Sequence, residues 1–281
     1  MKKVVIYGAG IIGKDCFFEI EDAEVIAYID NDKTKWGKSL NGIPIVGGIE
    51  SVSLLVYDEI IIASALSYND IKKQLISIGI KSEIIRKCNS AIIATGARQT
   101  FVKNISEMLK QVNKNMEYAV AEGGVFEGEF SKVINQYFPD KKLYLFDTFT
   151  GFSDRDIEKE DAFSNSQAGQ YAYDNIEEIV HKMPHKQNVI IKKGFFPETV
   201  QGLEEEMFGF VNLDFDLYQP MYEGLKFFYS RLIDNGVILL HDYFSPTFSG
   251  VRQAVVDYEK FLGIELKKLP IGDGFSIAVL K

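Results

Sequence analysis

Short apolar runs and helix-spaced apolar positions take turns along the first 90 residues. Lys-Val-Val-Ile-Tyr (3–7) is a β-branched run ending at Gly8, the pattern of a buried parallel strand. Ile12, Cys16 and Ile20 follow at four-residue spacing and predict a helix. A second strand is expected at Val25–Ile29, ending at Asp30. After the turn-rich stretch Asn31–Gly42, strands are expected at Ile43–Val46 and Glu59–Ala63. A helix around Asn69–Ile78 carries Ile71, Leu75 and Ile78 on one face, and a short strand, Glu83–Ile85, closes the unit. Alternation of this kind predicts a parallel sheet, assigned to residues 1–89.

Residues 90–116 change character. Ala91–Gly96 is short and broken by glycine, and a polar stretch from Gln99 to Asn115 carries Phe101, Ile105, Met108, Leu109 and Val112, so a connecting helix is expected. A second α/β series then fills residues 117–281. Strands are expected at Glu117–Ala121, Lys142–Phe146, Asn188–Ile191, Gly209–Leu213 and Gly236–Leu240, with helices at 127–138, 198–206 and 219–233. A further helix, Val251–Leu262, precedes the strands Glu265–Leu269 and Phe275–Leu280. The Gly272-Asp273-Gly274 turn makes that last pair antiparallel. The fold class is therefore α/β, with two Rossmann-like parallel sheets, the second ending in an antiparallel hairpin. Five parallel strands followed by a helix and hairpin is also the strand sequence of the Rossmann-like methyltransferases.

Composition narrows the partners. Of 281 residues, 46% are apolar and 25% charged, as in folded globular proteins. Lys and Arg number 31 against 40 Asp and Glu, a net charge of −9, and no basic stripe marks a nucleic-acid surface. Cys16 and Cys88 match no metal spacing and are too few for a disulfide framework, which fits a reducing cytoplasm. Glycines break the first apolar run, so it does not read as a signal peptide. No run is long and apolar enough to span a membrane. A homo-oligomer is left open.

Gly8-Ala9-Gly10-Ile11-Ile12-Gly13 is a G-x-G-x-x-G directly after a strand and opening a helix. Such glycines permit a tight turn and a close approach of backbone to pyrophosphate, and Asp30 would take a ribose hydroxyl. NAD, coenzyme A and nucleotide sugars all offer these groups. A turn kept only for helix–strand packing is the plainer alternative. Val-Val-Ile-Tyr-Gly-Ala-Gly (4–10), Tyr-Ile-Asp-Asn-Asp (28–32) and Gly-Ile-Pro-Ile-Val (42–46) make the first 85 or so residues resemble the N-terminal domain of bacterial sugar acyltransferases. That resemblance implies a nucleotide or nucleotide-sugar ligand.

The second constellation is acidic. Phe210–Leu213 runs into Asp214-Phe215-Asp216, and Val237–Leu240 runs into His241-Asp242. In a doubly wound sheet these ends are neighbours, so Asp214 and Asp242 can converge on one cation, with Mg²⁺ the suitable hard ion. The alternative is that Asp216 and Asp242 merely cap helices.

Ala-Glu-Gly-Gly-Val-Phe-Glu-Gly (121–128), Leu-Tyr-Leu-Phe-Asp-Thr-Phe-Thr-Gly-Phe (143–152), Asn-Leu-Asp-Phe-Asp-Leu-Tyr (212–218) and Gly-Val-Ile-Leu-Leu-His-Asp-Tyr (236–243) resemble, in order and spacing, the macrocin O-methyltransferase-like family. The resemblance implies methylation of a sugar hydroxyl using S-adenosylmethionine and Mg²⁺. It places Glu122, Gly123, Gly124 and Gly128 in the loop beneath the cofactor and Asp147 on its ribose. It gives Asp214 and Asp242 to the metal and makes Asp216 the general base. The antibiotic enzymes of the family have two adjacent acids where this chain has His241-Asp242, so His241 is expected to ligate, act as a base, or orient the site.

Ser153–Asn175 is polar and without period, either a lid or a surface insertion. Tyr171, Tyr173, Tyr218, Tyr243 and Phe244 are candidates to stack on a sugar or base, and Tyr218 and Tyr243, which adjoin the acids, are the two expected to do so. His181 and His185 read as surface residues. The leading expectation is a cytoplasmic, metal-dependent sugar O-methyltransferase. The rivals are a nicotinamide-dependent oxidoreductase or epimerase using the Gly8 loop, and a non-catalytic binding protein. Tyr222 and Lys226 have the Tyr-x-x-x-Lys spacing of such oxidoreductases, but on a helix of the second unit.

Overall fold

The alternation of strand and helix produces two separate sheets. The computed structural model describes residues 1–64, 67–113, 116–160 and 162–281. By contacts the chain divides into Met1–Ala97 and Arg98–Lys281.

The first unit contains β1 (Lys2–Tyr7), α1 (Ile11–Phe18), β2 (Ala23–Ile29), β3 (Ser39–Leu40), β4 (Ile43–Gly47), β5 (Glu59–Ile62), α2 (Tyr68–Ser77) and β6 (Ile85–Lys87). Its sheet runs β3-β4-β2-β1-β5-β6, parallel throughout except for β3 against β4. The apolar runs fill both faces: Val5, Tyr7, Ile60 and Ile62 are buried with Leu75 of α2 on one side.

The connecting helix expected at 90–116 is α3, which runs from Asn89 to Val112 without a break at Ala91–Gly96. The physical reason is a cap supplied from far away: the Glu19 carboxylate accepts from the amides of Asn89 (2.8 Å) and Ser90 (2.6 Å). Those first-turn donors have no helical partner of their own, and a mid-helix glycine costs only about 1 kcal/mol. Lys114 and Asn115, the expected end of the connecting helix, lie outside the described residues.

The second unit continues with β7 (Ala119–Gly123), α4 (Glu129–Tyr137), β8 (Leu143–Asp147), α5 (Asp154–Ile157), α6 (Ile176–Lys182), β9 (Val189–Lys193), β10 (Phe208–Leu213), α7 (Tyr218–Ser230), β11 (Leu232–Leu240), α8 (Ser249–Leu262), β12 (Lys267–Pro270) and β13 (Ile277–Leu280). The sheet order is β12-β13-β11-β10-β7-β8-β9. The five strands from β11 to β9 are parallel, and β13 lies antiparallel to both β11 and β12. One face buries Phe146, Phe208, Leu213, Met221 and Val251. The other buries Val102, Leu109, Phe138, Leu145 and Phe210.

The helix expected at 198–206 is a single 3-10 turn, Glu198–Val200. Gly202, in the left-handed region at φ +84°, turns the chain away from any continuation. The helix α6 was not expected. It is short and capped by Asn175, whose side chain accepts from the Glu178 amide, and it buries only Ile179. The polar stretch from Ser153 opens with α5, capped by Ser153; its Asp161 lies outside the described residues. Among the described residues no helix is long and apolar enough to cross a membrane.

Candidate active site

The chain order reverses between β7 and β10, so the loops at their carboxyl ends part and leave a crevice. Gly123 and Gly124 lie at the end of β7, Asp147 at the end of β8, Asp214 and Asp216 just past β10, and His241 and Asp242 just past β11. The structure thus brings together the motifs of the second unit.

The glycines here answer to packing. A Cβ on Gly123 would meet the Phe215 ring at 2.2 Å, and one on Gly124 would lie 2.0 Å from the Asp214 carbonyl oxygen. A Cβ on Gly128 would meet Ile179 at 2.7 Å. Only side-chain-free residues let the loop settle this close to the end of β10. Asp147 fastens the loop from the other side, its Oδ2 accepting from the amides of Val125 (2.6 Å) and Phe126 (3.1 Å) and its Oδ1 from Phe149 (2.7 Å). Beside it opens a cavity of about 450 Å³ lined by Thr148, Thr150, Phe152, Lys193, Gly194 and Phe195. Glu122, the last residue before the loop glycines, is buried. It is 1% exposed, accepts from Asn212 Nδ2 (2.9 Å) and from the Ser131 hydroxyl, and burial pushes its carboxyl up to about 8.

Asp214, Asp216, His241 and Asp242 each offer one ligand atom, and the four atoms lie within 4.8 Å of one another. Asp216 (φ +63°) and Asp242 (φ +57°) both take the left-handed conformation that side chains disfavour, a strain that recurs at functional sites. Neither caps a helix: α7 is preceded by Leu217 and α8 by Phe248. His241 Nδ1 lies 2.7 Å from Asp242 Oδ2 and 2.9 Å from Asp214 Oδ1. Burial and Arg98 oppose a charge on this ring, yet the two carboxylates raise it to about 9. Burial also works against ionising Asp214, but His241 and Arg98 hold its carboxyl well below the usual range. Asp216 goes the other way, raised by burial and then by the charges of Asp214 and Asp242, with which it shares a hydrogen bond. The cluster therefore sets three carboxyl groups against His241 and Arg98, and one of the three, Asp216, favours its proton.

The two tyrosines expected to stack on a sugar have protein partners of their own. The Tyr218 ring stacks between Phe163 (5.1 Å) and Tyr222 (6.1 Å), and its hydroxyl donates to Asp257 at 3.2 Å. Tyr243 packs edge-on against Phe244 at 4.9 Å. Tyr171, left-handed at φ +61° and packed against Phe126 and Phe152, stands near the acids, and Phe275 stacks on His241 at 5.9 Å. Burial first, then the charge of Asp216 and those of Asp242 and Asp214, raise the Tyr171 phenol. Arg98 was missed, since a single arginine in a polar stretch carries no motif.

In the first unit, the Gly8 loop divides its labour. Gly8 has φ +112°, and a Cβ there would lie 2.8 Å from the Ala63 carbonyl oxygen; one on Gly13 would lie 1.9 Å from that of Gly8. Gly10 has nothing within 4 Å. Asp30 is buried, its Oδ2 accepting from the Ala9 amide (2.7 Å) and Lys35 Nζ (3.0 Å), its Oδ1 from the Asp32 amide (2.8 Å). Its carboxylate already holds the loop. The Tyr-x-x-x-Lys spacing also occurs here, at Tyr68 and Lys72 on α2, where Lys72 Nζ stands 5.9 Å from the Tyr68 ring centre. Cys16 and Glu19 meet Cys88, distant in sequence, in this unit with both thiols buried.

The order of the second sheet, with antiparallel β13 between β11 and β12, and a glycine loop beside an acidic strand end, define a class I methyltransferase fold. The O-methyltransferase NovP shares it at 18% identity and a TM-score of 0.52, over 66% of this chain and 79% of that one. The calicheamicin methyltransferase CalS11 does so at 15% identity and a TM-score of 0.53, over 76% and 91%. No curated protein sequence matches. The macrocin-O-methyltransferase (TylF) family profile matches residues 88–272, and the C2185-like N-terminal profile matches residues 1–85. The chain belongs to the macrocin-O-methyltransferase family and is an O-methyltransferase.

Proposed function

We propose that the second unit transfers a methyl group from S-adenosylmethionine to a sugar hydroxyl, with a divalent cation held by Asp214, His241 and Asp242. The observation that carries this is the contact of Gly124 with Asp214, which sets a cofactor-type glycine loop against the acid cluster. The donor set suits a hard ion that also accepts imidazole, such as Mg²⁺ or Mn²⁺. Three carboxyl groups gathered at one point, one of them holding its proton for want of a countercharge, are a donor set that a dication would suit.

The adenosine part would occupy the cavity that begins at Thr148, next to Asp147, whose carboxylate would take the ribose hydroxyls. The cation, when bound, lowers the pKa of a coordinated hydroxyl, as metals take bound water from about 15.7 to about 7. Asp216, once ionised beside the bound cation, would accept the proton, and its strained backbone fixes that position. Tyr171 borders the same space and would exclude water from it. The first unit would hold the nucleotide part of an activated sugar over the open face at Gly10. This takes the chain into surface-polysaccharide or nucleotide-linked sugar chemistry in the cytoplasm.

Calorimetry with S-adenosylhomocysteine, with and without Mg²⁺, tests the cofactor. Methyl transfer from labelled S-adenosylmethionine to a panel of nucleotide sugars tests the reaction. Asp216→Asn should leave S-adenosylhomocysteine binding intact and lower turnover by about 100-fold or more. Silence with S-adenosylhomocysteine alongside clear NAD binding would sink the proposal.

A further inference from the structure

Arg98 sits on α3 with its side chain 11% exposed. Its guanidinium carbon stands 4.0 Å from the centre of the Phe130 ring at the start of α4. Nη2 donates to Asp214 Oδ2 at 3.0 Å and to Asn212 Oδ1 at 3.2 Å. The other Asp214 oxygen, Oδ1, faces His241 Nδ1 at 2.9 Å. The carboxylate best placed to hold a cation therefore already carries a positive charge on one oxygen. A guanidinium keeps that charge at every working pH. Asn212 passes the contact on to the buried Glu122, so the guanidinium is held from both sides and has little freedom to swing away.

We propose that Arg98 is the resident counter-cation of the acid cluster and sets its affinity for the divalent ion. It does so in two ways. It occupies Asp214 Oδ2, leaving only Oδ1 toward the cluster. It also repels a dication a few ångströms away, in surroundings where buried charges are little screened. A cation is then bound weakly and exchanges readily, and the cluster stays folded without one. The inference rests on the metal-dependent function proposed above and assigns Arg98 a positioning and tuning role, without contact to the reacting atoms.

The test uses the full chain and Mn²⁺ as the probe, counted by the free-ion electron paramagnetic resonance signal, with Mg²⁺ in competition. Arg98→Met should bind Mn²⁺ tenfold or more tightly than the natural protein. Arg98→Lys, which keeps the charge, should stay within threefold of it. Arg98→Gln carries the same expectation as Arg98→Met and stands in if the latter lacks a cooperative thermal transition. Unchanged or weaker Mn²⁺ binding in the folded, uncharged variants overturns the role of Arg98 and leaves the metal site standing. If neither the natural protein nor any variant binds Mn²⁺ while S-adenosylhomocysteine still binds, the metal site itself falls and this inference with it.

Discussion

The Cα of Gly124 lies so close to Asp214 that a methyl group on it would stand 2.0 Å from the Asp214 carbonyl oxygen. Two motifs 90 residues apart are thus one piece of structure: the loop after β7 rests on the main chain that carries the acids.

Gly124→Ala should therefore be costly. The residue has φ +80°, where an alanine loses roughly 1–2 kcal/mol, and the new methyl meets backbone that cannot rotate away. A total loss of more than about 2 kcal/mol is expected in urea denaturation. Gly202→Ala is the matched control. It has a similar φ of +84° but open space around it, so only the conformational part, about 1 kcal/mol, should appear. Equal losses at the two positions would mean that the contact with Asp214 adds nothing.

Glu122 makes stability depend on pH. Its carboxyl titrates near 4.5 when unfolded and near 8 in the folded chain, where burial keeps it protonated. Folding then favours the protonated form, so this stabilisation is complete below about 4.5 and is lost as pH rises through about 8. Glu122→Gln keeps the shape and removes the titration. Between pH 6 and pH 9 the natural protein should lose more than about 1 kcal/mol relative to the Gln variant. Parallel stability curves would show that Glu122 is ionised throughout.

Much of this was legible beforehand, for reasons specific to each element. The parallel strands announce themselves because burial on both faces demands continuous apolar runs such as Phe210–Leu213 and Val237–Leu240. Acids directly after such runs fall at the carboxyl end of the sheet, which is why Asp214 and Asp242 could be paired from sequence alone. What escaped was set by distant partners. The start of α3 depends on Glu19, and no local pattern shows a cap supplied from 70 residues away. Tyr218 looked like a site residue by adjacency, but helix geometry turns its hydroxyl to Asp257. Arg98 reaches the acids from a stretch that carries no motif.

Asp147 holds three backbone amides, so its replacement should do more than remove a ligand contact. Asp147→Asn retains one acceptor oxygen and loses the charge. Stability should fall by about 1–2 kcal/mol, since hydrogen bonds to charged groups are worth more than neutral ones. S-adenosylhomocysteine affinity should fall at least tenfold, because the ribose contact and the loop anchor go together. Calorimetry and a denaturation curve on the same sample separate the two effects. Full affinity in a destabilised variant would assign Asp147 to the loop alone.

The Gly8 loop offers a comparison within a single motif. Gly13 is required by packing: an alanine methyl would stand 1.9 Å from the Gly8 carbonyl oxygen, and only a shift of α1 against β1 would relieve it. Gly10 is not, because nothing lies within 4 Å of its added Cβ. Gly13→Ala should destabilise by more than about 2 kcal/mol. Gly10→Ala should cost under about 1 kcal/mol, the ordinary range for a change at a helix N-cap. If the open space at Gly10 is where a pyrophosphate approaches, Gly10→Val should abolish binding of UDP-glucose while the chain stays folded. Binding of NAD instead, lost in the same variant, would favour the oxidoreductase for this unit. If neither ligand binds the natural protein, the loop serves helix–strand packing, and the glycine at position 10 has no ligand to accommodate.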